Sequence, residues 1–221
     1  MLEPVALPKG RLEAVTDGIF AVSMTLLVLD LRLPGNVGDS AALWEAILAE
    51  IPAFDDYIIS FIVLCVFWIA HLRLLRRLDS IDTTFTWLNL VFLLFTTFVP
   101  VLTAFAGRNP GHPRPAILYG ADLVAILSFE MLMWRHALPR LVNASVTDAA
   151  GAWRVVRRKF LIAMAVVVLG LVLALLEIRA GWNSGFASYT YLLLIVVGVA
   201  HPAVTPRQPR ASRKSISASR E

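Results

Sequence analysis

The chain is poor in charge and almost without cysteine. Only 16% of its 221 residues are Asp, Glu, Lys or Arg, 58% are hydrophobic, and the mean hydropathy is +0.72. A soluble domain of this length has too little interior to hide that much apolar surface. The one cysteine, Cys65, excludes a disulfide within the chain and reads as a small packing residue in an apolar run. Signatures of catalysis are missing too. His71, His112, His136 and His201 lie near different ends of the apolar runs, and no H-x-x-x-H or H-E-x-x-H pair offers a metal site. There is no G-x-S-x-G turn and no phosphate-cradling loop, so neither an enzyme nor a bound cofactor is expected. Alternation of polar and apolar residues over ~10 positions, the mark of a membrane barrel, is absent as well.

What the chain has is long apolar runs. A bilayer core about 30 Å thick asks for roughly 20 apolar residues per crossing helix. Six stretches qualify, near 12–33, 54–76, 85–106, 116–138, 158–179 and 186–204. Helices satisfy their own backbone polar groups in lipid. The sequence therefore predicts an all-α integral membrane protein with six transmembrane helices over residues 1–204. A basic tail over 205–221, rich in Pro, Ser and Arg, is expected to be disordered and cytoplasmic. The opening "MLEPVALPKGR" lacks the basic start, apolar core and small-residue cleavage site of a removable signal.

Orientation follows from Lys and Arg. Of the 20, only Arg32, Arg108, Arg114 and Arg179 lie on one side of the six predicted spans. The rest fall on the other side, which predicts a cell-membrane protein with both termini in the cytoplasm. Attraction to anionic lipid accounts for the net charge of +4, so no nucleic-acid partner is needed. Between the first two spans, "SAALWEAILAE" repeats Leu43, Ile47 and Leu48 as a short amphipathic helix would, with Ser40 to cap it and Pro52 to stop it. It reads equally as a lid on the bundle, an interfacial helix or, with Asp39, Glu45 and Glu50, a cation-attracting vestibule. Asp79 or Ser80 is expected to cap the third span.

Polar residues inside the spans are expensive and so mark candidates for function. Trp68 and His71 fall in the second span, Asn89 in the third, and Asp122 and Glu130 in the fourth. The first span carries Arg11, Thr16, Asp17, Ser23, Thr25 and Asp30. Taken singly, each reads first as a hydrogen bond between helices. The first span is arranged differently. At 100° per residue, Gly18, Val22, Thr25, Leu26, Leu29 and Leu33 lie within about 60° of one line, and Asp17 lies roughly 140° from Val22. Asp17 should face the bundle, and Arg11 and Asp17 should seek partners on other helices, with Trp68 and His71 the obvious ones. The apolar line by itself reads as packing or lipid contact before it reads as a pore. Any channel here must also select ions without the Thr-Val-Gly-Tyr-Gly filter, which the sequence lacks.

"RLEAVTDGIFAVSMTLLVLDLRLP" resembles the signature of the transmembrane protein 175 family in its prokaryotic six-helix form. That signature is an arginine, three residues, Phe-Ser-Asp-Gly, then an apolar run ending in Leu-Asp or Leu-Glu and a proline. Arg11, Asp17, Gly18, Asp30 and Pro34 match it; Val15 stands for the phenylalanine and Thr16 for the serine. "YIISF", "FWIAH" and "WLNLVFLLFTTFVP" fit later elements, and the resemblance is specific over 11–100. It implies a potassium-permeable cation channel in which the first helix of each copy lines a shared central pore. Val22, Leu26 and Leu29 would form the constriction beside Thr25. Arg11, Thr16, Asp17, Trp68, His71 and Asn89 would hold the helix in place. A six-helix chain would close the pore as a homotetramer, with potassium as the permeant ion. A secondary transporter built on Asp122 or Glu130, or a non-conducting scaffold, are the rival readings.

Overall fold

The computed structural model describes residues 8–32, 35, 38–143 and 149–199. Leu33, Pro34 and the whole 205–221 tail lie outside these. The described residues form α1 (Lys9–Val28), α2 (Ser40–Ala49), α3 (Ile51–Leu75), α4 (Thr83–Gly107), α5 (Pro113–Asn143), α6 (Ala149–Ala180), α7 (Phe186–Tyr189) and α8 (Leu193–Val199). A single 3₁₀ turn, Thr190–Leu192, joins the last two, and no strand occurs among the described residues.

Four of the six expected spans are long and apolar enough to cross a bilayer: Ser40–Leu75, Thr83–Gly107, Pro113–Pro139 and Trp153–Ala180. The other two differ for physical reasons. α1 carries Lys9, Arg11, Glu13 and Asp17 within its 20 residues, so no stretch of span length is free of charge. The last segment is interrupted, and its described part, Phe186–Gly198, is short. The interruption centres on Tyr191, whose buried ring lies over Gly120 of α5 and Gly170 of α6. A Cβ at Gly170 would meet the Tyr191 ring at 2.7 Å, and the Tyr191 hydroxyl donates to the Ala116 carbonyl at 2.7 Å. Glycine is thus required on both helices by close approach.

Two sequence expectations about helix ends are corrected. Asp39, not Ser40, caps α2, its carboxylate accepting the Ala41 N–H. The helix does end ahead of Pro52, at Ala49 with Glu50 as its C-cap, and Pro52 then sits in the first turn of α3, where no backbone donor is needed. The α4 cap is Asp82 rather than Asp79 or Ser80, because its carboxylate reaches the Phe85 N–H at 2.8 Å.

α1 packs in the groove between α3 and α4, α5 lies against α4 and α6, and α7 and α8 close the bundle against α6 and α3. The core is aromatic and aliphatic, with Phe20, Leu64, Phe92, Leu93, Leu123 and Ile126 almost fully buried. α6 keeps Leu161, Val168, Val172, Leu175 and Leu176 exposed, as a lipid-facing helix does.

Candidate functional site

α1 has two unlike faces. Leu12, Thr16, Phe20, Ser23 and Leu27 recur every three or four residues and are buried. On the other side Val15, Gly18, Val22, Thr25, Leu26 and Leu29 are exposed, Val22 at 56% and Leu29 at 74%. Apart from Leu33, every residue on the line read from the sequence is therefore uncovered in the single chain. A shallow groove of about 320 Å³ runs beside it, lined by Val15, Gly18, Val22, Leu26 and, from α4, Thr97. Nothing lies within 4 Å of where a Cβ on Gly18 would stand. The Thr25 hydroxyl donates to the Val22 carbonyl at 2.8 Å, so its hydrogen is spent within the helix.

The opposite face is anchored by polar contacts at helical intervals. Asn89 of α4 donates to the Thr16 hydroxyl at 3.0 Å, both side chains buried. Trp68 of α3 donates its indole N–H to Asp17 at 2.8 Å, although Asp17 itself stays largely exposed at the edge of the helix. At the far end, Asp30 forms an ion pair with Arg108 just beyond α4. The helix that presents the apolar line is therefore held near both ends, to α3 and to α4. Phe20 adds an apolar contact midway, its ring 5.9 Å from that of Phe92.

Two expected partners fall elsewhere. His71 does not reach α1; its Nδ1 pairs with Glu130 of α5 at 2.8 Å, and its ring stacks on Phe92 at 4.8 Å. Arg11 is exposed and, among the described residues, makes no ion pair or side-chain hydrogen bond. Sequence reasoning also missed Arg108 as the partner of Asp30, since 78 positions separate them. An acid and a base at the same predicted membrane edge were the available signal, but Arg32, Arg114 and Arg179 share that edge, so the pattern did not single out Arg108.

The remaining buried polar groups form their own cluster. Ser60, Thr103 and Tyr119 share a hydroxyl network, Thr103 lying 2.7 Å and Tyr119 3.1 Å from Ser60. Asp122 is buried, with one carboxyl oxygen lacking a partner. No cluster of three His, Cys, Asp or Glu suited to a metal occurs among the described residues.

These features define an all-helical membrane protein whose first helix is tethered on one face and bare on the other. The profile described as endosomal/lysosomal potassium channel TMEM175 matches residues 11–100, which hold most of α1, its Trp68 and Asn89 tethers and the groove, and the chain is similar to that family over this stretch. It is 34% identical over 130 residues to a potassium channel of Streptomyces collinus, covering 57% of this chain and 63% of that one. It is 31% identical over 132 residues to a potassium channel of Chamaesiphon minutus, covering 58% and 65%. The chain thus spans a little under two thirds of either relative. The fold matches the crystal structure of a lysosomal potassium-selective channel TMEM175 homolog from Chamaesiphon minutus, with a TM-score of 0.72 at 22% identity, over 86% of this chain and 96% of that one.

Proposed function

We propose that the chain is one subunit of a potassium-permeable cation channel, and that four copies arrange their α1 helices around a common axis. The observation that carries this reading is the two-faced α1: tethered through Thr16, Asp17 and Asp30, bare along Val22, Leu26 and Leu29. Lipid could cover such a line. But a helix with charged residues in its first half is a poor lipid-facing element, while one at a water-filled axis bears them readily. One copy cannot enclose a pore, and head-to-tail contacts must close into a ring. Six crossings and cytoplasmic termini complete the proposal.

Rings of Val22, Leu26 and Leu29 offer no oxygen to replace an ion's hydration shell. A closed ring of this kind blocks by dewetting, and an open one admits a partly hydrated cation. Potassium sheds water more readily than the smaller sodium, so a narrow apolar ring favours it without a carbonyl filter. Thr25 adds lone pairs only, its hydrogen being committed to Val22. Arg11, Thr16, Asp17, Trp68, His71 and Asn89 are structural in this reading. The rival transporter would work through Glu130 or Asp122, both buried within the single bundle.

The test is cation flux through purified protein in liposomes, with potassium set against sodium. Leu26→Asn should wet the constriction, raise resting flux and weaken discrimination. Val168→Asn, on the lipid-facing side of α6, should leave both near the unmodified level. If Leu26→Asn changes nothing while Glu130→Gln abolishes flux in a fully folded protein, the transporter reading replaces this one.

A further inference from the structure

α2 has no buried residue. It precedes α3, from which a one-residue break at Glu50 separates it. The hydrocarbon core is about 30 Å thick and the whole bilayer about 40–45 Å. Measured upward from Arg73, Arg76 and Arg77 at the inner edge, the core is filled by α3 alone, and Asp55 and Asp56 mark its outer limit. α2 therefore joins α3 outside that limit. Yet Leu43, Trp44, Ile47, Leu48 and Ile51 are all exposed, Trp44 at 61%. These five share an arc of about 140°, with Asp39 and Glu50 along one edge and Glu45 along the other. An apolar stripe rimmed by charge has the anatomy of a protein interface.

The complement lies on the outer end of the same chain. The Gly111 turn abuts Gly185, which brings the start of α5 beside the α6–α7 connection. This surface exposes Trp182 at 65% and Phe186 at 73%, together with Arg114 and Arg179. Among the described residues, Glu45, Glu50, Arg114 and Arg179 make no ion pair. The α2 stripe and both Trp182 and Phe186 are exposed, so α2 does not cover this patch within its own chain. An acidic, apolar helix and a basic, apolar patch are thus both unpartnered at the same end of the molecule. A lipid surface is the poorer occupant, since carboxylates on both edges of the stripe are repelled by anionic headgroups.

We infer that α2 docks on the outer end of the neighbouring copy, its apolar stripe on Trp182 and Phe186 and its acids facing Arg114 and Arg179. The inference rests on the ring proposed above. In that ring the four α2 helices would form a collar around the outer mouth, and the acids left unpaired would draw cations toward it.

The experiment places a photo-reactive benzoylphenylalanine at Leu43 or at Ile47 in the full chain, reconstituted in phosphatidylcholine–phosphatidylglycerol liposomes. Native mass spectrometry in mild detergent is run in parallel. Irradiation should convert the monomer band into multiples up to the tetramer, with the linked peptide mapping to 108–114 or 179–186. A second variant, Leu43→Ser with Ile47→Ser, alters no buried residue and should shift the native population from four chains toward fewer. Four chains without any chain-to-chain link, or links to lipid only, would overturn the collar while leaving the ring standing. A single chain in native mass spectrometry would overturn the ring itself, and with it the collar.

Discussion

Replacing Glu130 separates the channel reading from its transporter rival. The side chain is 1% exposed and bonded to His71, which is itself fully buried, and neither His71 Nε2 nor Glu130 Oε1 has another partner. Glu130→Ala therefore strips His71 of its one side-chain hydrogen bond. Leaving such a buried group unpaired costs about 1–3 kcal/mol. The void left by the side chain adds about 2 kcal/mol, by analogy with the low end of the Leu→Ala series. The total, about 3–5 kcal/mol, agrees with what is lost when one partner of a buried pair is removed. Glu130→Gln keeps the volume and an acceptor for the His71 N–H, so only the strength of one hydrogen bond changes, about 1 kcal/mol. The two variants should differ in thermal midpoint by several degrees in detergent, at about 2–4 °C per kcal/mol for a chain of this size. Size-exclusion profiles taken on heating would follow it. Flux per correctly folded protein should stay near the unmodified level for Glu130→Gln. The reasoning fails if Glu130→Gln melts normally yet carries no flux, since a carboxyl that binds or relays an ion loses function without losing stability.

Gly170→Ala tests the Tyr191 slot. The added methyl meets both the Tyr191 ring and the Thr190 hydroxyl, so it should cost about 1–3 kcal/mol of overpacking, read as a lower thermal midpoint that Tyr191→Phe does not repair. Asp17→Ala should lower tetramer yield and flux together, because Trp68 then loses its acceptor; an altered ion preference at full yield would make Asp17 a pore residue. Arg108→Ala frees the other end of α1, and because this pair is partly exposed it should cost under about 1 kcal/mol of stability. Its clearer signature is a change in resting flux, measured in the same liposomes, and an unchanged flux would remove Arg108 from the account of how α1 is held.

The bare face of α1 was legible in the sequence because it depends on one helix alone. A period of 3.6 residues places Gly18, Val22, Thr25, Leu26 and Leu29 together whatever surrounds them, and the structure leaves all five exposed. Its tethers were legible only in part. Trp68 and Asp17 could be matched as donor and acceptor, and the structure joins them. His71 could not be assigned, because hydrogen-bonding chemistry alone does not distinguish Asp17 from Glu130. What distinguishes them is depth: His71 stacks on Phe92 in the core, beside α5, where only Glu130 reaches it. The helix caps failed for a related reason. Asp79, Ser80 and Asp82 are all competent caps, and the choice falls on Asp82, whose carboxylate also takes His136 from α5 at 2.9 Å. Local chemistry lists the candidates and tertiary contact selects among them. The same division explains α2. Its amphipathic pattern announced a helix and Pro52 announced its end, and both came from local chemistry alone. That its apolar stripe stays exposed depends on where the rest of the bundle lies, which no local pattern specifies, and it is this exposure that leaves α2 a surface to offer a neighbour.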